Sequence, residues 1–449
     1  MSTPSWNRPS TWALLCCLSF IYRSVIASSL PPNSKLIQVQ IVHRHGDRTP
    51  ITPLKNEEYW RDQLPKEEVL KKISEGTKIV RDINQPRMKH GAAGTGVFGQ
   101  LSMVGLLQMV ELGQRVREEL YCPTSGMFCE DKRPLTHHET CLRVVSTDFP
   151  RTIQSVQAFL VGLFPDGLHL PQQKCDESEV DTSHVEIDVR HTVKMIPDPQ
   201  PRRYVLQEIL EKELSQNDPD LRKKDAEMRE LAERASFALG DLLASGDAAN
   251  AVSFGVGEEK DGEVKILPWG QLSEITTCLR TRDQLPDAIS HDDQDAIVKH
   301  AAHRWFALLR NPTLANIAMD KMVSDILKNA NLARYDYSRS IPLHVYSAHD
   351  STLIGLMCAL RLEQPSEWPE YASALKLELF AVENDLSSDV DKKDYICRFS
   401  LNGQYLKCNW GSESCPRSFI DLDELDTLIN EARSEDIKAV QEHQQRKET

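Results

Sequence analysis

The stretch LIQVQIV at residues 36–42 runs through His43 directly into RHGDRTP at residues 44–50. Apolar and polar side chains alternate in the first part and β-branched residues are frequent there, a pattern that predicts a β-strand. The second part is a charged loop that contains a glycine. In open α/β sheets, sites form beyond the carboxyl ends of the strands, so this junction predicts both a sheet and a site.

A second strand is expected to end near residue 146. LRVVS at residues 142–146 predicts a short strand, and TDFP at residues 147–150 breaks it. A helix is expected to start at Arg151 and to run to about Phe164. Arg151 therefore falls at a strand-to-helix turn.

A third strand is predicted by IPLHVYS at residues 341–347, which ends at Ala348, His349 and Asp350. A helix is expected over residues 352–362. Strands that alternate with helices favour an α/β fold, with a central, mainly parallel sheet flanked by helices. The three strand ends are then expected to converge at one edge of the sheet.

Residues 167–300 differ in composition from the rest of the chain. They are polar and charged, with helical periodicity near residues 204–215 and 221–245, and predict an inserted, mostly helical cap. The domain limits that follow are an N-terminal targeting segment over 1–28, a discontinuous α/β catalytic domain over 29–166 and 301–432, the helical cap over 167–300, and a polar tail over 433–449.

Composition excludes two classes of protein. Hydrophobic residues make up 40% of 449 positions, which is enough to bury a substantial core and argues against intrinsic disorder. The formal charge is −14, and no Lys/Arg cluster of five to eight residues is present. Because phosphate neutralisation dominates nucleic-acid affinity, nucleic acid is not an expected partner.

The first 46 residues contain no Asp or Glu and carry an apolar run, WALLCCLSFIY, at residues 12–22. This run is too short to cross a bilayer, which needs about 20 residues, but it fits a signal peptide cleaved near Ala27. We expect entry into the secretory pathway, to a lysosomal or extracellular destination; a mitochondrial presequence is the alternative. No later segment is apolar enough to predict a stable membrane span in the mature chain.

Cleavage near Ala27 would leave nine cysteines, an odd number, so that at least one thiol cannot pair within the chain. The expected bridges lie between Cys122 and Cys129 and within the C-terminal group Cys397, Cys408 and Cys415. No C-x-x-C pair is present to suggest a zinc knuckle.

The loop at residues 44–50 suggests oxyanion chemistry. Arg44 and Arg48 bracket His45, and guanidinium groups match the oxygens of a phosphate. An imidazole beside a bound phosphoryl group can act as nucleophile. Gly46 is expected to let the backbone approach a ligand. Arg151 would add a third guanidinium, while His349 adds a donor and Asp350 a carboxyl group.

These motifs resemble those of the histidine acid phosphatases, in the phosphoglycerate-mutase-like superfamily. The resemblance is carried by the following segments: RHGDRTP (44–50), GQLSMVGLLQMVELGQRVR (99–117), STDFPRT (146–152), LVGLFP (160–165) and SAHDSTL (347–353). The segment at 99–117 is most similar to the lysophosphatidic acid phosphatase branch.

The resemblance implies hydrolysis of phosphate monoesters, lysophosphatidate being one candidate, through a phosphohistidine on His45. Asp350 would protonate the leaving alcohol. The phosphate-binding residues would be Arg44, Arg48, Arg151 and His349. The partner implied is a small phosphomonoester, no metal or organic cofactor is implied, and an optimum below pH 7 is expected because a carboxylic acid must donate a proton. Oligomeric state is left open, a homodimer included.

Other functions remain open on the sequence alone. A phytase or sugar-polyphosphate phosphatase would need a basic pocket rim, for which Lys55, Arg87 and Lys89 are the obvious candidates. A non-catalytic phosphate-binding protein would use the same cations without turnover. A metal-dependent hydrolase would use the ligands His45, Asp47, His349 and Asp350.

Overall fold

The strands of the protein form one sheet. The computed structural model describes residues 33–81, 96–120, 141–165, 184–190, 194–199, 202, 204–244, 266–364, 367–383, 393–410 and 417–448. Within these residues the strands are β1 (Ser34–Arg44), β2 (Thr77–Arg81), β3 (Leu142–Thr147), β4 (Val185–Arg190), β5 (Leu343–Ala348), β6 (Ala374–Glu383), β7 (Lys393–Leu401), β8 (Gln404–Leu406) and β9 (Ile420–Asp421).

The sheet has the order β2-β4-β3-β5-β1-β6-β7-β8, with β9 beside β7. Neighbours from β2 to β1 pair in parallel, whereas β6 to β9 pair in an antiparallel manner. The predicted α/β class is confirmed, and the parallel half contains the three predicted strand ends. Arg44 lies opposite Ala348, and Ser146 lies opposite Ser347, so these ends meet at one edge.

Helices cover the sheet, and further helices lie between β4 and β5 in the sequence. The described helices are α1 (Glu57–Asp62), α2 (Glu67–Ser74), α3 (Met103–Leu120), α4 (Pro150–Leu163), α5 (Val205–Asn217), α6 (Pro219–Glu227), α7 (Arg229–Gly240), α8 (Trp269–Arg280), α9 (His291–Leu309), α10 (Pro312–Tyr335), α11 (Asp350–Ala359) and α12 (Leu422–Glu448). In the part of the chain described, no helix combines the length and apolar character needed to span a bilayer.

The parallel strands are apolar on both faces because both faces are covered. Ile41 and Val144 belong to the core formed with α3 and α4, whereas the next residues along their strands, Val42 and Val145, belong to the core formed with α10 and α11. The sheet thus lies between two helical layers. Both layers pack against the strands whose ends form the edge described above.

Two strands of the parallel half lie where the sequence did not predict them. β4 lies within residues 167–300, which the sequence analysis assigned to the helical cap, yet it pairs with β3 and β2 in the central sheet. β2 is a short strand at the outer end of the sheet, where it pairs with β4. The helical region proper, which consists of α5, α6, α7 and α8, follows β4.

A third apolar cluster links this helical region to the loop after β1. Trp60 and Phe98 pack in it with Leu239 of α7 and Ile275 of α8. This packing seats α8 over the RHGDRTP loop.

The cysteine predictions have a mixed outcome. Cys397 and Cys408 are buried free thiols, so the bridge expected within the C-terminal group is not formed. Cys122, Cys129 and Cys415 lie outside the described residues, as does the predicted targeting segment 1–28.

Candidate phosphate site at the edge of the sheet

His45 follows the last residue of β1 and is almost fully buried. Its Nδ1 lies 2.8 Å from the carbonyl oxygen of Gly46. A carbonyl can only accept, so Nδ1 carries the proton and Nε2 keeps its lone pair. Burial, with the positive charges of Arg151 and Arg44, lowers the pKa of His45 well below its ordinary value. The ring is therefore neutral and nucleophilic at any pH near neutrality.

Three buried guanidinium groups surround this ring. Arg44, Arg48 and Arg151 are each 5% exposed or less. Burial and the charge of Arg48 lower the pKa of Arg151 to about 9. The buried Nε atoms of Arg44 and Arg48 have no hydrogen-bond partner among the described residues. Because buried donors are nearly always satisfied, this arrangement calls for an anion.

His349 and Asp350 come from the junction of β5 and α11. The rings of His45 and His349 meet edge to face, with centroids 5.5 Å apart, and Nε2 of His349 lies 3.0 Å from Oγ1 of Thr147. Nη2 of Arg44 lies 2.8 Å from Oδ2 of Asp350. Burial alone would raise the pKa of Asp350, but Arg44 and an indole N–H hold it below its ordinary value.

The structure therefore brings together all the predicted site residues. They are Arg44, His45, Arg48, Arg151, His349 and Asp350. Arg44, His45 and Arg48 lie at the end of β1 or just after it, Arg151 lies at the start of the helix after β3, and His349 and Asp350 follow β5.

Gly46 serves a different contact from the one predicted. A Cβ at Gly46 would overlap the carbonyl of Gly105 in α3, and a Cβ at Gly105 would overlap the carbonyl of Asp47. The two glycines allow α3 to pack directly against the loop. The glycine in the loop thus serves close packing of the helix, and no ligand is needed to explain it.

The side chain of Asp47 belongs to a buried hydrogen-bond network. Its Oδ2 accepts hydrogen bonds from Ser102 at 2.5 Å and from Nη2 of Arg282 at 2.6 Å. Within the described ranges, no three His, Cys, Asp or Glu side chains are grouped so as to hold a metal ion. The metal-ligand set suggested by the sequence is not assembled in that part of the chain.

A wall of the site comes from α8, which the sequence did not single out. Glu274 accepts hydrogen bonds through Oε1 from Nη1 of Arg48 at 2.7 Å and from the Ile51 N–H at 2.6 Å. Its Oε2 is buried and has no partner within the described segments. Cys278 lies 3.8 Å from Nη1 of Arg48, and burial raises the pKa of its thiol to about 12.

A second wall comes from the loop before β6. Pro369 accepts a hydrogen bond from Nη1 of Arg44 at 2.6 Å, and the Tyr371 ring lies 4.1 Å from the guanidinium carbon of Arg44. The indole N–H of Trp368 donates to Oδ2 of Asp350 at 2.9 Å. The only sequence signal was a pair of aromatic residues in a loop with prolines.

Two polar residues next to the site motifs have structural roles. His43 stacks on Phe159, with centroids 5.5 Å apart, which agrees with a packing role. Asp148 has a side chain suited to capping the helix that carries Arg151, but the N-cap is Phe149, and Asp148 pairs with Arg81 at 3.2 Å.

Comparison with known proteins agrees with this geometry. A sequence profile of the histidine phosphatase superfamily (branch 2) matches residues 35–234 and 295–402. The chain belongs to this family. Both matched segments contain the strand ends that form the site.

Several curated proteins are similar over most of the chain. Counting factor 60 of Dictyostelium discoideum is 26% identical over 405 residues, covering 85% of this chain and 83% of its own. Human lysosomal acid phosphatase is 23% identical over 378 residues, covering 84% and 73%. Bovine lysophosphatidic acid phosphatase type 6 is 31% identical, but over 140 residues, which are 29% of this chain and 31% of its own.

Solved structures share the fold. The phytase of Hafnia alvei in complex with myo-inositol hexakis sulphate superposes with a TM-score of 0.56 at 14% identity, covering 90% of this chain and 98% of the phytase. The predicted family and fold are confirmed.

Proposed function

We propose that this protein is an acid phosphatase that hydrolyses phosphate monoesters through a phosphohistidine on His45. The observation that carries the proposal is a neutral imidazole, oriented by Gly46, inside a ring of buried guanidinium groups; the Nε–H donors of Arg44 and Arg48 have no partner among the described residues. Membership of the histidine phosphatase superfamily supports the same reaction.

The proposed reaction has two steps. Nε2 of His45 attacks phosphorus, and the bond to the leaving oxygen breaks. Arg44, Arg48, Arg151 and His349 hold the three remaining oxygens and stabilise the charge that develops on them. Water then attacks the phosphohistidine, which releases inorganic phosphate and restores the neutral ring.

Asp350 is assigned as the proton donor to the leaving alcohol. Without substrate, Arg44 holds this carboxyl in its ionised form. A bound phosphate competes for Arg44, so substrate binding weakens this ion pair and raises the pKa of the carboxyl. Alkyl esters are therefore expected to be hydrolysed best on the acid side of neutrality.

The wall contributed by α8 favours a leaving group with no further phosphate. Glu274 brings a carboxylate to the same arginine that is proposed to bind the substrate phosphate, and its buried Oε2 has no partner in the described part of the chain. A second phosphate nearby would meet this charge. Of the candidate rim cations, Lys55 is exposed, whereas Arg87 and Lys89 lie outside the described residues. We therefore favour a monophosphate ester over an inositol polyphosphate.

Further parts of the proposal rest on the relatives and on the sequence. The local similarity to a lysophosphatidic acid phosphatase supports lysophosphatidate as one substrate to test. Similarity to lysosomal acid phosphatases supports entry into the secretory pathway through residues 1–28. A bridge between Cys122 and Cys129, a homodimer and a capping role for the helical region stay proposals of the same kind.

A panel of substrates tests the proposal. Release of phosphate from lysophosphatidate, an aryl phosphate, phytate and phosphotyrosine is measured from pH 4 to 8, with vanadate and with a chelator. We expect monoester hydrolysis that vanadate inhibits and a chelator leaves unchanged. Loss of activity with the chelator would favour a metal-dependent hydrolase, and absence of turnover on every ester would leave a phosphate-binding protein.

A further inference from the structure

The carboxyl of Asp350 is held by two donors at one oxygen. Nη2 of Arg44 and the indole N–H of Trp368 contact Oδ2 at 2.8 and 2.9 Å, while the N–H of Ser351 donates to Oδ1 at 2.8 Å. A carboxylate oxygen can accept two hydrogen bonds, so Oδ2 is saturated in the absence of substrate.

The two donors differ in what substrate does to them. Arg44 borders His45, and its Nε–H has no partner among the described residues; a phosphate on His45 attracts the same guanidinium charge that holds Asp350 and so competes for it. Trp368 has a single donor, and it is already used on Asp350. Its ring packs edge to face against Trp305 of α9, with centroids 6.2 Å apart. Phosphate can withdraw Arg44, but it has no such effect on Trp368.

We propose that Trp368 is the positioning residue for the proton-donating step: it keeps the Asp350 carboxyl in place when phosphate draws Arg44 away. The site on Oδ2 that Arg44 leaves then takes the proton that passes to the leaving oxygen. This inference rests on the proposed function, because it assigns Trp368 a role in leaving-group protonation.

The other charged groups that face Asp350 are unchanged by a substitution at position 368. They are Arg44 on β1, Arg151 on α4, His349 at the end of β5, and Asp198, whose carboxyl interacts with that of Asp350. Burial raises the pKa of Asp198 to about 6. A difference between variants at position 368 therefore reports the lost indole donor.

The test is Trp368→Phe, which keeps an aromatic ring and removes the N–H. kcat/KM is measured for an alkyl phosphate, whose leaving group needs a proton, and for p-nitrophenyl phosphate, whose leaving group needs little. We expect kcat/KM to fall about tenfold for the alkyl ester and by less than about twofold for the aryl ester. The alkaline limb of the alkyl-ester profile should move to higher pH, because a donor that stabilises the carboxylate is lost.

The matched control is Trp305→Phe, which alters the same aromatic pair and leaves the donor in place. It should keep the ratio of alkyl to aryl activity and the position of the alkaline limb. Equal losses on both esters in Trp368→Phe, or an unmoved limb, would overturn the inference. Loss of inhibition by inorganic phosphate in Trp368→Phe would also overturn it, since Trp368 would then shape the pocket rather than hold the acid.

Two further variants separate this inference from the proposed function. Asp350→Asn should lose alkyl-ester hydrolysis, and His45→Ala should lose hydrolysis of both esters. If both behave so and Trp368→Phe changes nothing, the role of Trp368 alone is wrong. If Asp350→Asn keeps alkyl-ester activity, the proton-donor assignment itself is wrong.

Discussion

The two sides of the phosphate site are built differently. On the sheet side, Arg44 and Arg48 carry buried donors that have no partner among the described residues. On the helical side, Arg282 donates two hydrogen bonds to the buried carboxylate of Asp47, and Glu274 presents a carboxylate to Arg48. Buried polar atoms without a partner among the described residues occur on both sides, the Nε of Arg282 included, but the guanidinium groups that act on the ring of His45 are those of the sheet side. We assign the chemistry to the first side, and to the second the fixing of the loop and the choice of leaving group.

The largest effect is expected on the sheet side, at Arg151. Arg151→Ala should lower kcat/KM for an aryl phosphate by about a thousandfold, because a preorganised cation at the phosphoryl oxygens is removed. Arg151→Lys should recover part of this loss but remain well below the unsubstituted protein, since an ammonium lacks the planar fork. Steady-state kinetics measure both.

The control for Arg151 is Arg143→Lys, on the adjoining strand. Arg143 pairs with Asp325 at 3.7 Å and has no assigned contact with phosphate. Its variant should stay within about twofold of the parent kcat/KM. Equal losses in the two variants would mean that Arg151 acts only on the stability of the fold.

A smaller effect, on stability, is expected on the helical side. Arg282→Gln leaves the carboxylate of Asp47 buried with one side-chain donor fewer, and should lower the free energy of unfolding by about 3 kcal/mol. Adding Asp47→Asn should restore part of that loss, because the unpaired charge is gone. Urea unfolding measures both variants.

An exposed pair provides the comparison for Arg282. Arg234 and Asp293 lie 2.8 Å apart, and the arginine is 47% exposed. Arg234→Gln should cost less than about 1 kcal/mol, as exposed ion pairs do. If Arg282→Gln costs no more than this, the helical side does not fix the loop through Asp47.

The smallest effect concerns selectivity. Glu274→Gln keeps an acceptor for Arg48 and Ile51 but removes the charge. kcat/KM for an inositol polyphosphate should rise about fivefold relative to a simple monoester, which corresponds to roughly 1 kcal/mol of repulsion. Asp287→Asn, at an exposed carboxylate of the same region, should leave the ratio unchanged. An unchanged ratio in Glu274→Gln would remove the proposed preference for monophosphates.

The same division explains what could be predicted from the sequence. His45, Arg151 and Asp350 follow strands whose apolar patterns are strong, and parallel strands bring their carboxyl ends together. Glu274 and Trp368 could not be predicted, because their places depend on how α8 and the loop before β6 pack. Local sequence does not encode such contacts, and a resemblance carried by short motifs does not extend to them.

Boundaries and caps were less predictable than the site. β4 alternates correctly for a strand, but the polar sequence around it favoured helix, and only pairing with β3 and β2 places it in the sheet. Asp148 has the residue type of a cap, yet pairing with Arg81 outweighs that preference. In each case a tertiary contact decides between two local choices.

Trapping the covalent intermediate tests the central claim most directly. The protein is mixed with a labelled aryl phosphate, quenched in alkali within milliseconds, and digested for mass spectrometry. Phosphate attached to a nitrogen of His45, labile to acid and absent from His45→Ala, is the predicted result. Turnover with no phosphorylated residue, or with the label on another side chain, would contradict the account.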